Sequence, residues 1–332
     1  MLDVTRLRVL VAVARHGSVT AAARALNYAQ PSVSHHLARL EAETGTRLIQ
    51  RSGRSVRLTD AGRLLAGRAE EILGRLAAAE HELAAHVGQQ EERIRLAGFP
   101  SALATLVPAA AARLRADHPG VELLLTETEP HEALRMLKGG RADVALVFRF
   151  VHEGAAIDVR EEEVAGTRAK LLLDEPFHVI TPAASPWPPT GGGMGLAPYA
   201  KHRWIAGCER CRAQLLWLCE MAGFTPQIAS TTDDVLVAQA LAAAGLGVAI
   251  LPDLALRAAR HPGIRTEELP GARRHVLALT YGEPPDPPGV GRLLDALTLA
   301  AAPKQAATPS GPRPMTARVN PARSLDRADP QE

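Results

Sequence analysis

The sequence predicts a multidomain α and α/β chain, helical at its amino end and α/β beyond, with one long helix joining the parts. Three observations carry this. Up to residue 58, short apolar repeats of helical spacing alternate with turn residues; from 59 to about 87 a helical period runs without proline; from 93 strand-like and helix-like segments alternate. A length of 332 residues suits about two domains, and 46% hydrophobic with 22% charged residues is ordinary for a chain that buries substantial cores.

The elements follow in order. Leu7, Leu10, Val11 and Ala14 recur at helical spacing, and His16-Gly17 closes that first helix. Ser18 offers an N-cap hydroxyl to a second helix, Val19 to Leu26, whose alanines permit close helix contact. Asn27 suits a left-handed turn position, and Gln30 to Glu43 predicts a third helix with Val33, Leu37 and Leu40 inward, stopped by Gly45. Leu48 to Leu58 reads as a two-stranded ribbon with a basic tip. Thr59 and Asp60 start the long helix, with Leu65, Ile72, Leu76, Leu83 and Val87 as its stripe and Leu64, Ala69 and Leu73 beside it. Such a helix cannot bury its stripe alone, so it packs against a second copy or another domain; homodimerisation is the favoured expectation.

Past Gln90, strands over 93–97, 121–126 and 143–148 alternate with helices over 103–116 and 132–138, a rhythm that predicts a mostly parallel sheet. A second set, with strands over 177–181, 227–230 and 247–251 and helices over 211–222 and 232–244, predicts a second α/β lobe of similar size. Pro182 to Pro198 is rich in Pro and Gly and reads as loop. The expected divisions are a head over 1–59, a linker helix over 60–90, a two-lobed domain over 91–302 and a disordered tail over 303–332. Within the third, lobe I takes about 91–163 and 270–302 and lobe II about 164–269. The tail mixes Pro, Ala, Arg and Ser without period.

Charge is uneven. Residues 1–59 carry nine Arg against Asp3, Glu41 and Glu43, a net of +6 on a chain whose total is +2. A positive end points to a polyanion such as nucleic acid; the plain alternative, a general preference for Arg over Lys, leaves the scarcity of carboxylates there unexplained. No basic leader or cleavage site marks a secretory signal. The longest apolar stretch, Val235 to Pro252, is interrupted by Gln239, Gly245 and Gly247, which suits helix, turn and buried strand rather than a membrane span. Cytoplasmic location is expected.

The third helix follows a three-residue turn, the helix-turn-helix arrangement whose second helix presents its amino-terminal residues to base edges in a major groove. Pro31 falls in its first turn, where a missing N–H costs nothing and the ring fixes the entry of the helix. Gln30 suits bidentate pairing with adenine, while Ser34 and His35 reach base edges or phosphate. A small helical bundle with a polar surface is the competing reading.

Residues 12–62, "AVARHGSVTAAARALNYAQPSVSHHLARLEAETGTRLIQRSGRSVRLTDAG", closely resemble the winged helix-turn-helix of the LysR-type transcriptional regulators. "IRLAGFPSALATLVPAAAARLRADHPGVELLLTE" and "AAAGLGVAILP" resemble segments of that family's effector domain. The resemblance covers residues 1 to about 302. It implies a linker helix that pairs dimers, tetramers on extended DNA sites, and a two-lobed effector domain of type 2 periplasmic-binding-protein-like architecture. It also implies contacts to double-stranded promoter DNA from Ser18, Gln30, Pro31, Ser32, Ser34 and His35, with Arg51 and Arg54 in the wing. A small-molecule effector is implied at Phe99, Ser101, Ala102, Thr128, Thr231 and Thr232. Ser101 and Thr232 read equally as helix caps. His35-His36 stands where Arg, Lys or Gln is more usual, and Leu48 to Arg51 replaces a more common Phe and acidic residue.

Cys208-Glu209-Arg210-Cys211 has C-x-x-C spacing, with Cys219 eight residues on and His202 upstream. Zinc or a regulatory disulfide is one reading; thiols buried as small hydrophobes are the other, and a second tight ligand pair is missing. No cofactor is expected. No Ser-His-Asp spacing, G-x-x-x-x-G-K or H-E-x-x-H supports an enzyme. The expectation is a regulator responsive to an effector; a cysteine-based redox or metal-responsive member of the same family, or a ligand-binding protein without DNA function, are the alternatives.

Overall fold

The computed structural model describes residues 2–52, 55–86, 92–151, 164–184 and 195–302, and in its head the helix ends lie where local chemistry puts them. α1 (Val4–His16) is capped by the Asp3 carboxylate, which accepts from the Arg6 N–H at 3.1 Å, and Gly17 closes it at a φ of 62°. Ser18 caps α2 (Val19–Ala25), Asn27 turns the chain at a φ of 53°, and α3 (Gln30–Thr44) ends on Gly45 at 68°. Leu7, Leu10, Val13, Ala22, Val33, Leu37 and Leu40 pool into one buried core.

β1 (Ile49–Ser52) and β2 (Ser55–Leu58) form the antiparallel wing. The Glu41 carboxylate on α3 accepts from the N–H groups of Leu48 (2.8 Å) and Ile49 (3.2 Å), which ties the wing to α3. The Thr59 hydroxyl accepts from Gly62 N–H at 3.0 Å and starts α4 (Asp60–His86). A Cβ at Gly62 would run into the Leu48 carbonyl, so only glycine lets this helix meet the wing.

α4 uses two faces. Ala66 and Ala69 are buried in the head core, and Arg15 pairs with Glu70 at 3.0 Å, whereas Ile72, Leu76 and Leu83 are exposed. Farther along, the backbone of Gly74 lies so close to that of Gly139 and Gly140 that no Cβ fits at 74 or 140. The Arg75 guanidinium sits 4.4 Å from the centroid of the Tyr281 ring.

Beyond the linker come β3 (Glu92–Gly98), α5 (Pro100–Leu103), α6 (Leu106–Asp117), β4 (Val121–Glu127), α7 (Pro130–Lys138), β5 (Val144–Val151) and β6 (Thr167–Pro182). β7 (Arg203–Ala206), α8 (Glu209–Met221), β8 (Gln227–Thr231), α9 (Val235–Ala243), β9 (Ala249–Pro252), α10 (Asp253–Ala258), β10 (Ile264–Tyr281) and α11 (Pro288–Ala301) follow. The main sheet has the order β4-β3-β5-β10-β6-β9. The expected mostly parallel sheet is corrected here: β3 is parallel to β4 and β5, but β10 is antiparallel to β5 and β6, and β6 to β9. The cause is a strand of 18 residues over 264–281, whose Pro270 and Gly271 break its pattern in the sequence. Between Glu268 and Arg273 five steps along β10 oppose two along β6, so a bulge absorbs those residues. β7 and β8 form a separate parallel pair in the second lobe.

The single helix expected over 103–116 is two, α5 and α6, parted at Ala104-Thr105. Pro108 explains the restart, because it has no N–H to give to a preceding turn and is tolerated only near a helix start. The helix expected from Thr232 begins at Val235, since the Asp234 carboxylate is its cap, accepting from Leu236 (2.8 Å) and Val237 (3.3 Å).

Candidate functional site

Two sites emerge. On the head, Gln30, Pro31, Ser32 and His35 are exposed on the first turns of α3 and Ser34 is half-buried, while Val33, Leu37 and Leu40 hold the opposite face in the core. Ala29, the N-cap, gives no side-chain bond; Pro31 has no N–H, and the Ser32 and Val33 N–H groups turn back to the Ala29 carbonyl at 3.0 and 3.3 Å. Ser18 sits at the start of α2 with its hydroxyl taking the Ala21 N–H at 3.4 Å. The Tyr28 and His36 rings lie 6.0 Å apart beside this surface. Arg51 stands opposite Val56 in the wing; its side chain, and the whole of Arg54, lie outside the described residues.

The second site is a cavity of about 100 Å³ between the two lobes. Phe99, Phe148, Phe150 and Phe177, four of the five phenylalanines in the chain, line it and pack edge to face or tilted, with centroids 5.0, 5.5 and 5.8 Å apart in succession. Arg274 from β10 lies over them, 4.5 Å from the Phe148 centroid. Its Nε donates to Glu175 Oε1 at 2.6 Å and a terminal nitrogen donates to Ser101 Oγ at 3.0 Å. Glu175 faces Arg274 directly across the β6–β10 ladder, and its other oxygen takes the Leu254 N–H at 2.6 Å. Arg274 and Glu175 are 3% and 1% exposed, so the charges are paired and bonded out of water.

Of the effector residues expected from the sequence, Phe99, Ser101 and Thr232 line the cavity; Ala102, Thr128 and Thr231 do not. Ala102 is in the core, and Thr128 instead gives its N–H to the Gly98 carbonyl at 2.9 Å. Ser101 is not the N-cap: Phe99 holds that position in α5 without a side-chain bond, and the Ser101 hydroxyl accepts from Arg274. Thr232 Oγ1 accepts from Asp234 N–H at 3.2 Å. Sequence reasoning missed Arg274, Glu175, Glu129 and Gln214. Gln214 is 4% exposed on the cavity wall, and its Nε2 has no hydrogen-bond partner among the described residues.

Cys208 and Cys211 also line this cavity, with their sulfurs 3.1 Å apart. Cys208 is the N-cap of α8, and its thiol is 4.0 Å from Glu129 Oε2. The Cys211 hydrogen bond draws the Cys208 pKa down to about 7 against the opposing effect of burial, and the same bond pushes Cys211 well above the usual thiol range. Burial raises Glu129, with Asp233 adding to the effect. Cys219 is buried in the core and pushed up to about 12. No cluster of three or more His, Cys, Asp or Glu with metal-binding geometry occurs among the described residues.

A family model described as bacterial regulatory helix-turn-helix protein, lysR family, matches residues 4–63, and one described as LysR substrate binding domain matches 88–302. A probable cat1 operon transcriptional activator of Acinetobacter lwoffii is 30% identical over 267 residues, covering 78% of this chain and 83% of the relative. A probable hydrogen peroxide-inducible genes activator of Mycobacterium avium is 29% identical over 252 residues, 75% of this chain and 78% of that one. Among solved structures, CbnR, a LysR family transcriptional regulator, superposes with a TM-score of 0.60 at 22% identity, covering 90% of this chain and 99% of CbnR.

Proposed function

The chain belongs to the LysR family of bacterial transcriptional regulators, and from that premise we propose that its α3 docks in the major groove of promoter DNA under the control of a small molecule held between the effector lobes. One observation carries the reading: α3 presents Gln30, Pro31, Ser32 and His35 to solvent at an uncapped helix start while its other face is locked into the core. The Gln30 amide, the Ser32 and Ser34 hydroxyls and the His35 ring are the groups there that would donate to phosphate oxygens or meet base edges. Ser18 at the start of α2 and Arg51 and Arg54 in the wing supply backbone contacts that set the register.

The exposed apolar residues Ile72, Leu76 and Leu83 on α4 favour a second copy as their cover, so the working unit is a dimer, and pairs of dimers suit extended operators. A dimer places two recognition helices on successive turns of one DNA face. An effector that prefers one arrangement of the lobes biases their separation. Phe99, Ser101 and Thr232, with Arg274 and Gln214, are the groups that would meet it. No described helix is long and apolar enough to cross a membrane, and the reading places the protein in the cytoplasm with the chromosome.

Footprinting of the purified protein on DNA flanking its own gene, over a salt series, tests this. Affinity should fall about 10³-fold or more between 50 and 200 mM salt if about six phosphates are neutralised. Pro31→Ala with Ser34→Ala should lower specific over non-specific binding and leave the dimer intact. Salt-insensitive binding, or equal loss on random DNA, refutes it.

A further inference from the structure

We propose that Cys208 and Cys211 are a thiol-oxidation site in the wall of the inter-lobe cavity, closed to a disulfide by a small hydroperoxide, and that its state is passed to the linker helix through α7. The proposal deepens the regulator reading above and rests on it for the second half.

The sulfurs converge at 3.1 Å, so bridging needs an approach of only about 1 Å to the ordinary bond length of about 2.05 Å. Gly207 keeps the pair packed, since a Cβ there would lie 3.0 Å from the Cys211 Cβ. Cys208 has the lowered pKa of an attacking thiol and Cys211 the raised one of a resolving thiol, while Cys219 lies in the core with its pKa near 12. The groups facing Cys208 are Cys211 on its own helix, Glu129 ahead of α7 and Asp233 ahead of α9, with Arg274 of β10 acting on Cys211 and Glu129.

The cavity chooses the oxidant. Its volume of about 100 Å³ is well under the roughly 300–1,000 Å³ of pockets for larger ligands. Gln214, one turn beyond Cys211 on α8, lines that space, and its buried Nε2 has no hydrogen-bond partner among the described residues, which makes it a donor available to a peroxide oxygen.

The chemistry balances in two steps. The Cys208 thiolate attacks one oxygen of R–O–O–H; the O–O bond breaks, sulfur becomes a sulfenic acid, and the departing oxygen leaves as alcohol or water after taking a proton, for which Glu129, with its raised pKa, is placed. The Cys211 thiol then attacks the Cys208 sulfur, the S–O bond breaks, and water leaves as the disulfide forms. Two thiols lose two electrons and the hydroperoxide gains them.

The route onward is on the first lobe. Glu129, 4.0 Å from Cys208, is the N-cap of α7, and Gly139 at the other end of that helix abuts Gly74 of α4. Oxidation removes the thiol and the thiolate charge from beside Glu129 and Asp233. A change in how the lobes meet there moves a rigid rod whose far end touches the linker.

The test treats reduced full-length protein with hydrogen peroxide and follows intact mass, peptide mapping and the operator footprint. Expected are loss of two hydrogens, a mapped Cys208–Cys211 bridge reversed by dithiothreitol, and a changed footprint. Cys208→Ser should abolish oxidation, Cys211→Ser should stop at a sulfenic acid trapped by dimedone, and Cys219→Ala should oxidise as the parent does. Gln214→Leu should slow the first step about tenfold, and glutathione disulfide should react at least about tenfold slower than peroxide. Circular dichroism confirms that each variant is folded. Glu129→Gln should form the bridge more slowly, because the departing oxygen must then take its proton from solvent, and the bridged variant should lose the footprint change. A bridge to Cys219, no bridge, or equal rates with glutathione disulfide overturns the oxidation site. An unchanged footprint from bridged protein overturns the coupling. No footprint from the reduced protein overturns the regulator reading, while the mapped bridge still decides the oxidation site.

Discussion

Replacing Arg274 with methionine removes one charge of a pair held almost wholly out of water and leaves the other behind. Methionine keeps the apolar stem but not the guanidinium, whose Cζ lies 5.0 Å from the Phe99 centroid and 4.5 Å from that of Phe148, so the contact with the rings goes together with the ion pair. Glu175, at 1% exposure, would keep only the Leu254 N–H at 2.6 Å, and the Ser101 hydroxyl would lose its donor. Breaking such a pair from one side costs about 3–5 kcal/mol, because an uncompensated buried charge remains. With a urea slope of about 3 kcal/mol/M, the midpoint should drop by about 1 to 1.7 M. Unfolding of the effector half can be followed by fluorescence, since Trp204 is fully buried in its core. The double variant Arg274→Met, Glu175→Met should return to within about 1 kcal/mol of the parent or exceed it. A single-variant cost below about 1 kcal/mol, or a double variant no better than the single, would refute the placement of an obligatory pair here.

Other expectations are narrower. Gly74→Ala should favour α4 by about 1 kcal/mol as an isolated helix, yet its methyl must enter space held by the Gly139 backbone; hydrogen exchange at 139–141 should therefore quicken, and unchanged protection would count against the contact. Asp234→Ala should cost about 1 kcal/mol through the lost cap of α9, read as a lower melting temperature. Alkylation of Cys208 should rise with pH to a half-maximum near 7 while Cys219 stays unmodified in the folded protein. The sign for stability follows: a thiol whose folded pKa lies below its unfolded value near 8.5 stabilises the fold above that value and loses the contribution as pH falls through about 7. Stability that falls from pH 7 to 9 because of Cys208, as judged against Cys208→Ser, would contradict this.

The head was legible because its punctuation is local. Gly17, Ser18, Asn27, Gly45 and Thr59 each act within three or four residues, and their chemistry is visible in the order of the letters. The cleft was not, because its polar centre joins residues far apart: Arg274 is 99 positions from Glu175 and 173 from Ser101. Neither strand announces such a partner, and Glu175 and Arg274 look like surface charges in a sequence window. The long β10 was hidden by Pro270 and Gly271, which read as a break and are a bulge. Cys208 and Cys211 were visible as spacing, but only folding shows that both face the cavity while Cys219 turns to the core.

That same bulge has a mechanical meaning. On one side of it β10 pairs with the β6 segment that carries β9; on the other it pairs with β5 and the opening half of β6. Both halves keep fixed partners, and Leu269 and Ala272 within the irregular stretch are buried. The lobes are thus joined by a doubled leaf spring clamped at its bend, not by a slack strap. Any opening of the cleft therefore has to bend β6 and β10 together at this stretch, because both halves stay paired on either side of it.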